Sequence, residues 1–478
     1  MISLIKNELK KIFSKTAIYV VLLITIAICI TSNIMNKRVE KIDTTYSEQE
    51  TEMYQSGLDI AKSNGDEAYE IECQSYIDSR KIASKYDEDS WQRYIIANKL
   101  KDKISDMLRT KDKDPESYAI YKEEYDKIMK SLENDDWKSF VQEELVDINM
   151  QLETATEGEY KEDLKNQKQV LEWRLEKNIP YGSNNINAYL QAWISSKAEI
   201  RQMEKQNYLS YDSKKMLQEH KETVEVCEYA IKNNINSNIT KAGNSQLKWS
   251  LSDNANILLL DVFSDYGFFI ILTVVIIAGT IVSEEFNKGT IKLLLVRPYK
   301  RTKILIAKFL TCMIMLVISI ISLAIIQTIV GGIIYGFESY GEKIIMYNFN
   351  SNSIEKIATI RYLIMNAIAM LPQYILLMTL AFAISTVLTN TPMAIALPIL
   401  GIFGSEIINA LLYTNFEKAK FLLYFVTPNW DLSMYAFGKL PMFEGLTLGF
   451  SISICVIYFA ILLGMSILTF KNRDIKNI

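Results

Sequence analysis

Six long apolar runs constrain this chain more than any other feature. They cover residues 17–35, 262–282, 304–334, 362–388, 393–413 and 446–470. A helix needs about 20 mostly apolar residues to cross ~30 Å of hydrocarbon, and each run is of that order. The first run follows basic residues, as a secretory signal does. Its apolar core is longer than the ~7–15 residues of a signal, and no small-x-small cleavage site follows. It reads as a retained span. The predicted fold class is an all-α polytopic membrane protein with six transmembrane helices.

The net charge of −4 hides a sharp division. Residues 36–261 hold 32 basic and 44 acidic residues, whereas the rest hold 20 basic and 12 acidic. Such asymmetry places the two parts in different surroundings. With the N-terminus inside, the inner segments 1–16, 284–303, 389–392 and 471–478 carry 13 basic residues against four acidic ones. The short outer loops 335–361 and 414–445 carry six of each sign. The positive-inside rule therefore predicts cytoplasmic termini and a large acidic extracellular domain at 36–261. Lys37, Arg38 and Lys41 lie on the wrong side for that rule, which long translocated domains obey poorly.

That domain reads as helical. Residues 141–178 predict two helices around a turn near Gly158, with the second stopped by Pro180 and Gly182. The stretch LRTKDKDPE, residues 108–116, reads as a loop. Cys73 and Cys227 both fall in this domain, where a disulfide between them is chemically permitted. Residues 1–16 read as an amphipathic helix on the inner membrane surface, with Ile2, Ile5, Leu9, Ile12 and Phe13 apolar and four lysines between them. The same residues also serve as a basic flank that fixes orientation. Pro372 and Pro398 are expected to kink spans four and five. Lys308, in the first turns of span three, is expected to snorkel to the cytosolic interface. The aromatic-rich loop 414–445 is a candidate to dip back into the membrane face.

Several chemistries are excluded. The chain has one histidine, His220, so His-based triads and HExxH hydrolases lack their partners. In QEHKE it reads as solvated. No phosphate-binding G-x-x-x-x-G-K-[ST] loop occurs, so no ATP site, cofactor or metal is expected in this chain, and nothing points to nucleic acid. Ionisable groups inside spans are functional suspects. Glu406 is the clearest: it either lines a path or bonds Ser405, Asn409 or a neighbouring helix. Gln327 and Gln373 are candidates for interhelical hydrogen bonds.

Between spans two and three lies SEEFNKGTIKLLLVRPYKRTK, residues 283–303. Glu284 and Glu285 end span two. Gly289 and Thr290 open a short helix carrying Lys292 and Leu294. Arg297 and Pro298 stop it, and Arg301 leads into span three. The segment either presents an apolar knob with charged edges to a soluble partner or forms a basic hairpin against lipid headgroups.

The run GTIVSEEFNKGTIKLLLVRPYKRTKILIAKFL, residues 279–310, resembles permease subunits of bacterial ABC-2-type transporters. The matching positions are Glu284, Glu285, Gly289, Thr290, Leu293, Leu294, Arg297, Pro298 and Arg301. The stretch LEKNIPYG, residues 175–182, is similar to a subgroup with a large insertion after span one. The resemblance implies an exporter permease in the bacterial cell membrane, working as two copies or beside a related permease. A separate soluble ABC ATPase would hold ATP and Mg, and residues 284–303 would be the coupling segment. Spans two and five would line the path, which adds Thr273 to Glu406 as a candidate. The cargo implied is an amphiphile such as an antimicrobial peptide, a drug or a lipid. The contrasting reading is a membrane sensor or scaffold, with outer helices that bind a ligand and an inner loop that signals.

Overall fold

All six apolar runs are helices: Thr16–Val39, Gly267–Asn287, Arg301–Tyr335, Thr359–Val387, Thr391–Thr414 and Leu448–Asn472. Each is long and apolar enough to cross a membrane, and the chain is a mostly helical multi-pass membrane protein. The computed structural model describes residues 1–39, 48–206, 208–291 and 299–473. The chain divides into two units, Met1–Asn36 with Asp253–Ile478, and Lys37–Ser252. Residues 253–261, assigned to the acidic domain on charge grounds, pack with the spans. Leu258, Leu259 and Leu260 are buried there.

Within the first unit, spans two and four are the most enclosed. Val274, Val275 and Ala278 of span two and Met378, Ala381 and Phe382 of span four are inaccessible to solvent. Gly279 lets span five approach. A Cβ there would lie 3.0 Å from Ile395 Cγ1 and 3.1 Å from the Ala394 carbonyl oxygen. The helices continue through Pro372 and Pro398. Asn33 of span one and Gln327 of span three are fully buried and exchange two amide hydrogen bonds, each 3.2 Å. Gln373 is half-buried in span four.

The fold is not purely α-helical. Residues Ile344–Asn348 and Ser353–Ile357 form an antiparallel hairpin, with Ile344 opposite Ile357. Its turn uses Asn352 at φ 48°, a left-handed position that asparagine tolerates. Between spans five and six the chain folds into short helical turns. Trp430 there is buried in the main core. Asn429, fully buried, donates to the Leu423 and Phe425 carbonyls and accepts from Ser451.

The second unit is built of helices, among them Glu48–Asn64, Glu67–Ala83, Pro115–Glu133, Lys138–Thr154, Glu159–Lys177, Asn185–Glu204 and Tyr211–Lys232. Asn178 closes the helix Glu159–Lys177 in the left-handed conformation. The 108–116 stretch is helical to Thr110. Asp114 then caps the next helix by accepting from Glu116 and Ser117, with Pro115 in its first turn.

Two sequence expectations are corrected in this unit. Cys73 and Cys227 are free thiols. Cys73 sits against Gly57 and Tyr69, whereas Cys227 belongs to a separate core around Trp173, Tyr189 and Trp193. The two sulfurs are held in different clusters. His220 is half-buried rather than solvated. Asn244 commits its Oδ1 to the Leu247 N–H, so its Nδ2 points at His220 Nδ1 (3.1 Å) and Ser196 Oγ (3.1 Å). A donor facing Nδ1 requires the neutral ring. Burial lowers the His220 pKa, against the opposing charges of Glu199 and Glu219.

Candidate functional site at the root of the 284–303 segment

Span two does not run straight into its charged end. The helix Gly267–Thr280 stops, Ile281 and Val282 make a turn, and Ser283–Asn287 restarts. The amides of Glu285 and Phe286 bond the Val282 carbonyl, which leaves the Ile281 carbonyl free of them. That carbonyl is taken by Lys308.

Lys308 is the centre of the site. Its Nζ lies 2.9 Å from Glu285 Oε1, 3.0 Å from Glu8 Oε2 and 3.0 Å from the Ile281 oxygen. Three donors meet three acceptors, so the ammonium is satisfied although the residue is fully buried. Lys308 therefore does not snorkel. Two carboxylates and a carbonyl within hydrogen-bond reach satisfy the cation where it is buried. Around it, Lys11 Nζ bridges Glu285 (2.9 Å) and Glu8 (3.3 Å). Lys15 joins Glu284 (3.1 Å) and Thr280 Oγ1 (2.7 Å). Lys288 reaches the other oxygen of Glu284 at 3.4 Å. Partial burial disfavours the Lys11 ammonium, but the hydrogen bonds and charges of Glu285 and Glu8 outweigh it and raise its pKa.

These groups line a cleft of about 350 Å³ between the N-terminal helix Ile2–Phe13 and the end of span two. The helix buries Leu4, Glu8 and Ile12, a stripe one turn apart, against the bundle. This differs from the expected apolar stripe. Ile2 and Phe13 stay exposed, and the buried face carries a carboxylate.

Further bonds tie the same root to the remaining spans. Ser283 is fixed by two of them: its amide donates to Ser385 Oγ (3.0 Å) and its hydroxyl pairs with Thr391 (2.6 Å), where span four leads into span five. Arg473, past the end of span six, donates to the Thr386 carbonyl at 2.9 Å and lies 4.9 Å over the Phe286 ring. Arg301 donates to the Arg473 carbonyl at 2.8 Å.

Of the residues singled out from the sequence, Glu284, Glu285 and Arg301 are thus joined to this network. Thr290 is exposed, with its hydroxyl 3.4 Å from the Glu285 carbonyl, and Gly289 takes φ 68° with open space around it. Lys292, Leu293, Leu294, Arg297 and Pro298 lie outside the described residues. Thr273 lines a separate cleft and bonds the Phe269 carbonyl. Glu406 is exposed on span five beside Phe403 and Ile407, and its neighbour Ser405 bonds Ile402 instead. The site does not include Glu406 or Thr273. Sequence reasoning missed Glu8, Lys11, Lys15 and Arg473 as partners. The signal for Glu8 was present, since it is the one acid in a helix of lysines. Among the described residues no group of three or more His, Cys, Asp or Glu could hold a metal ion.

A family model described as a protein of unknown function (DUF2705) matches residues 242–476, which take in spans two to six. YdbK of Bacillus subtilis (strain 168), described as an uncharacterized membrane protein, is 25% identical over 207 residues, 42% of this chain and 76% of YdbK. YhcI of the same organism, described as an uncharacterized protein, is 30% identical over 259 residues, 54% of this chain and 77% of YhcI. No solved structure matches the chain. With three-quarters of YhcI covered at that identity, the chain belongs to the same family as YhcI.

Proposed function

We propose that this chain is the permease subunit of an ATP-driven ABC exporter of the ABC-2 type, set in a bacterial cell membrane with both termini in the cytoplasm. A soluble ATPase subunit, holding ATP and Mg, docks on residues 284–303. A second copy or a related permease completes the path. The cargo is an amphiphile, such as an antimicrobial peptide, drug or lipid, and residues 37–252 form an extracellular domain.

One observation carries the reading. The segment that resembles a coupling element is rooted in an ion cluster that also holds the N-terminal helix and span three, through Glu285, Glu8 and Lys308. A force applied to the loop is thereby delivered to three membrane elements together. The partner drives a change only if it binds one arrangement more tightly than the other. Glu406 fits a path residue, because an acid in a span costs about 3 kcal/mol against lipid and favours a polar or protein-lined surface.

The test is affinity purification of the tagged full-length chain from its host. A soluble ATP-binding protein is expected to be retained. Lys292→Glu and Arg297→Glu should reduce its yield, while Glu406→Gln leaves retention unchanged and lowers transport. Absence of any ATPase from the wild-type preparation removes the assignment and leaves the sensor reading.

A further inference from the structure

The N-terminal helix Ile2–Phe13 has a second surface that the ion cluster does not use. At 100° per residue, Leu4, Glu8 and Ile12 share the buried face. Ile5, Leu9, Ile2 and Phe13 follow as the adjoining sector, and Lys6 and Lys10, one turn apart, come next. Ile2 and Phe13 are exposed, as are both lysines. This order, packed face then apolar face then cationic edge, is that of a helix lying at a lipid boundary.

Two apolar clefts open beneath that sector. One, of about 400 Å³, runs along span three from Ile5 past Leu310, Met313, Ile314 and Val317 to Ile318. The other, of about 130 Å³, lies between spans one, two and three under Phe13, and it too is bounded by Ile318. Three hydroxyls of the second cleft are spent within their own helices: Thr25 bonds the Val21 carbonyl, Thr273 that of Phe269 and Ser319 that of Met315, while Tyr19 donates across to the Phe13 carbonyl. Both walls therefore offer hydrocarbon contact. A pair of unbranched chains meeting at Ile318, with a negative group at the lysine edge, matches the two clefts and the charge together.

We propose that the N-terminal helix and span three form a binding site for one diacyl anionic phospholipid, its acyl chains in the two clefts and its phosphate at Lys6 and Lys10. The site is independent of the transport assignment. It would anchor the helix that carries Glu8 and Lys11, and so fix the ion cluster from its lipid side.

The experiment is hydrogen exchange of residues 2–13 in the full-length chain, reconstituted in nanodiscs of phosphatidylcholine alone or with half phosphatidylglycerol. Two cationic contacts to an anionic surface predict exchange slower by roughly 30-fold in the phosphatidylglycerol discs. Lys6→Gln with Lys10→Gln should abolish the difference. Val317→Trp, at a half-exposed position, should also abolish it by filling the longer cleft. Soluble glycerol phosphate added to phosphatidylcholine discs should produce no slowing. Equal exchange in the two membranes overturns the proposal. So does a phosphatidylglycerol effect that survives Val317→Trp, which would mean unspecific attraction of the lysines, or slowing by glycerol phosphate alone, which would mean a simple anion site.

Discussion

Lys308 of span three and Glu285 at the end of span two meet at 2.9 Å inside the protein, with Glu8 of the N-terminal helix completing the pair from the other side at 3.0 Å. Glu285 Oε1 also takes Lys11, so four charges share one small volume. Their attraction offsets desolvation only while every partner is present.

Removing the central cation should therefore cost more than removing the group. Lys308→Met leaves Glu8 and Glu285 with only the largely exposed Lys11 between them and is expected to destabilise the chain by about 3–5 kcal/mol. Adding Glu8→Gln and Glu285→Gln to Lys308→Met should restore much of the loss. Thermal unfolding in detergent reads both, and a triple variant no more stable than the single one contradicts the cluster.

Asn33 and Gln327 form a closed amide pair between spans one and three. A double-mutant cycle with Asn33→Leu and Gln327→Leu should give a coupling of about 0.6–2 kcal/mol, the range for hydrogen bonds between membrane helices. Additive effects would mean the two amides act separately.

The lowered pKa of His220 gives a pH dependence with a defined sign. The unfolded chain takes up the proton first, near pH 6.5. Stability from this group is whole above that value and is lost as pH falls through the folded pKa. Protonation sets an N–H against the Asn244 amide, so exchange of residues 240–252 should quicken on acidification. His220→Gln should flatten that response. An identical acid response in the variant contradicts it.

All five cysteines are free and buried. Unfolding without reductant should expose five alkylatable thiols by mass, and three would indicate a bridge. In the folded protein Cys227 should react slowest of the second unit's two thiols. Burial raises both pKa values, and it raises that of Cys227, inside the core around Trp173, Tyr189 and Trp193, the more.

Periodicity and length made the spans legible, because a hydrocarbon layer imposes a length that no other environment does. The turns around Gly158 and Pro180 were legible for the local reason that they end helices. The hairpin at 344–357 was not, since its ten paired residues are too few to outweigh the apolar spans beside them. At the site, Glu284 and Glu285 stood out as acids ending an apolar run. Their partners did not, because Glu8 and Lys308 are 300 positions apart and only packing brings them together. Lys308 was misread for that reason: a lone lysine near a span end looks like a snorkelling residue until two acids are placed beside it. Asn33 gave no sign of facing Gln327 for the same reason.

The central claim is that residues 284–303 are gripped by a soluble ATPase. The most direct measurement places a photo-crosslinking amino acid at Leu294 of the full-length chain in its host and identifies the adduct by mass spectrometry. The account predicts a covalent adduct with an ATP-binding protein, weakened by Arg297→Glu and absent when the crosslinker is moved to the exposed Ile325 of span three. Adducts with lipid alone, or with no ATP-binding protein, would contradict it.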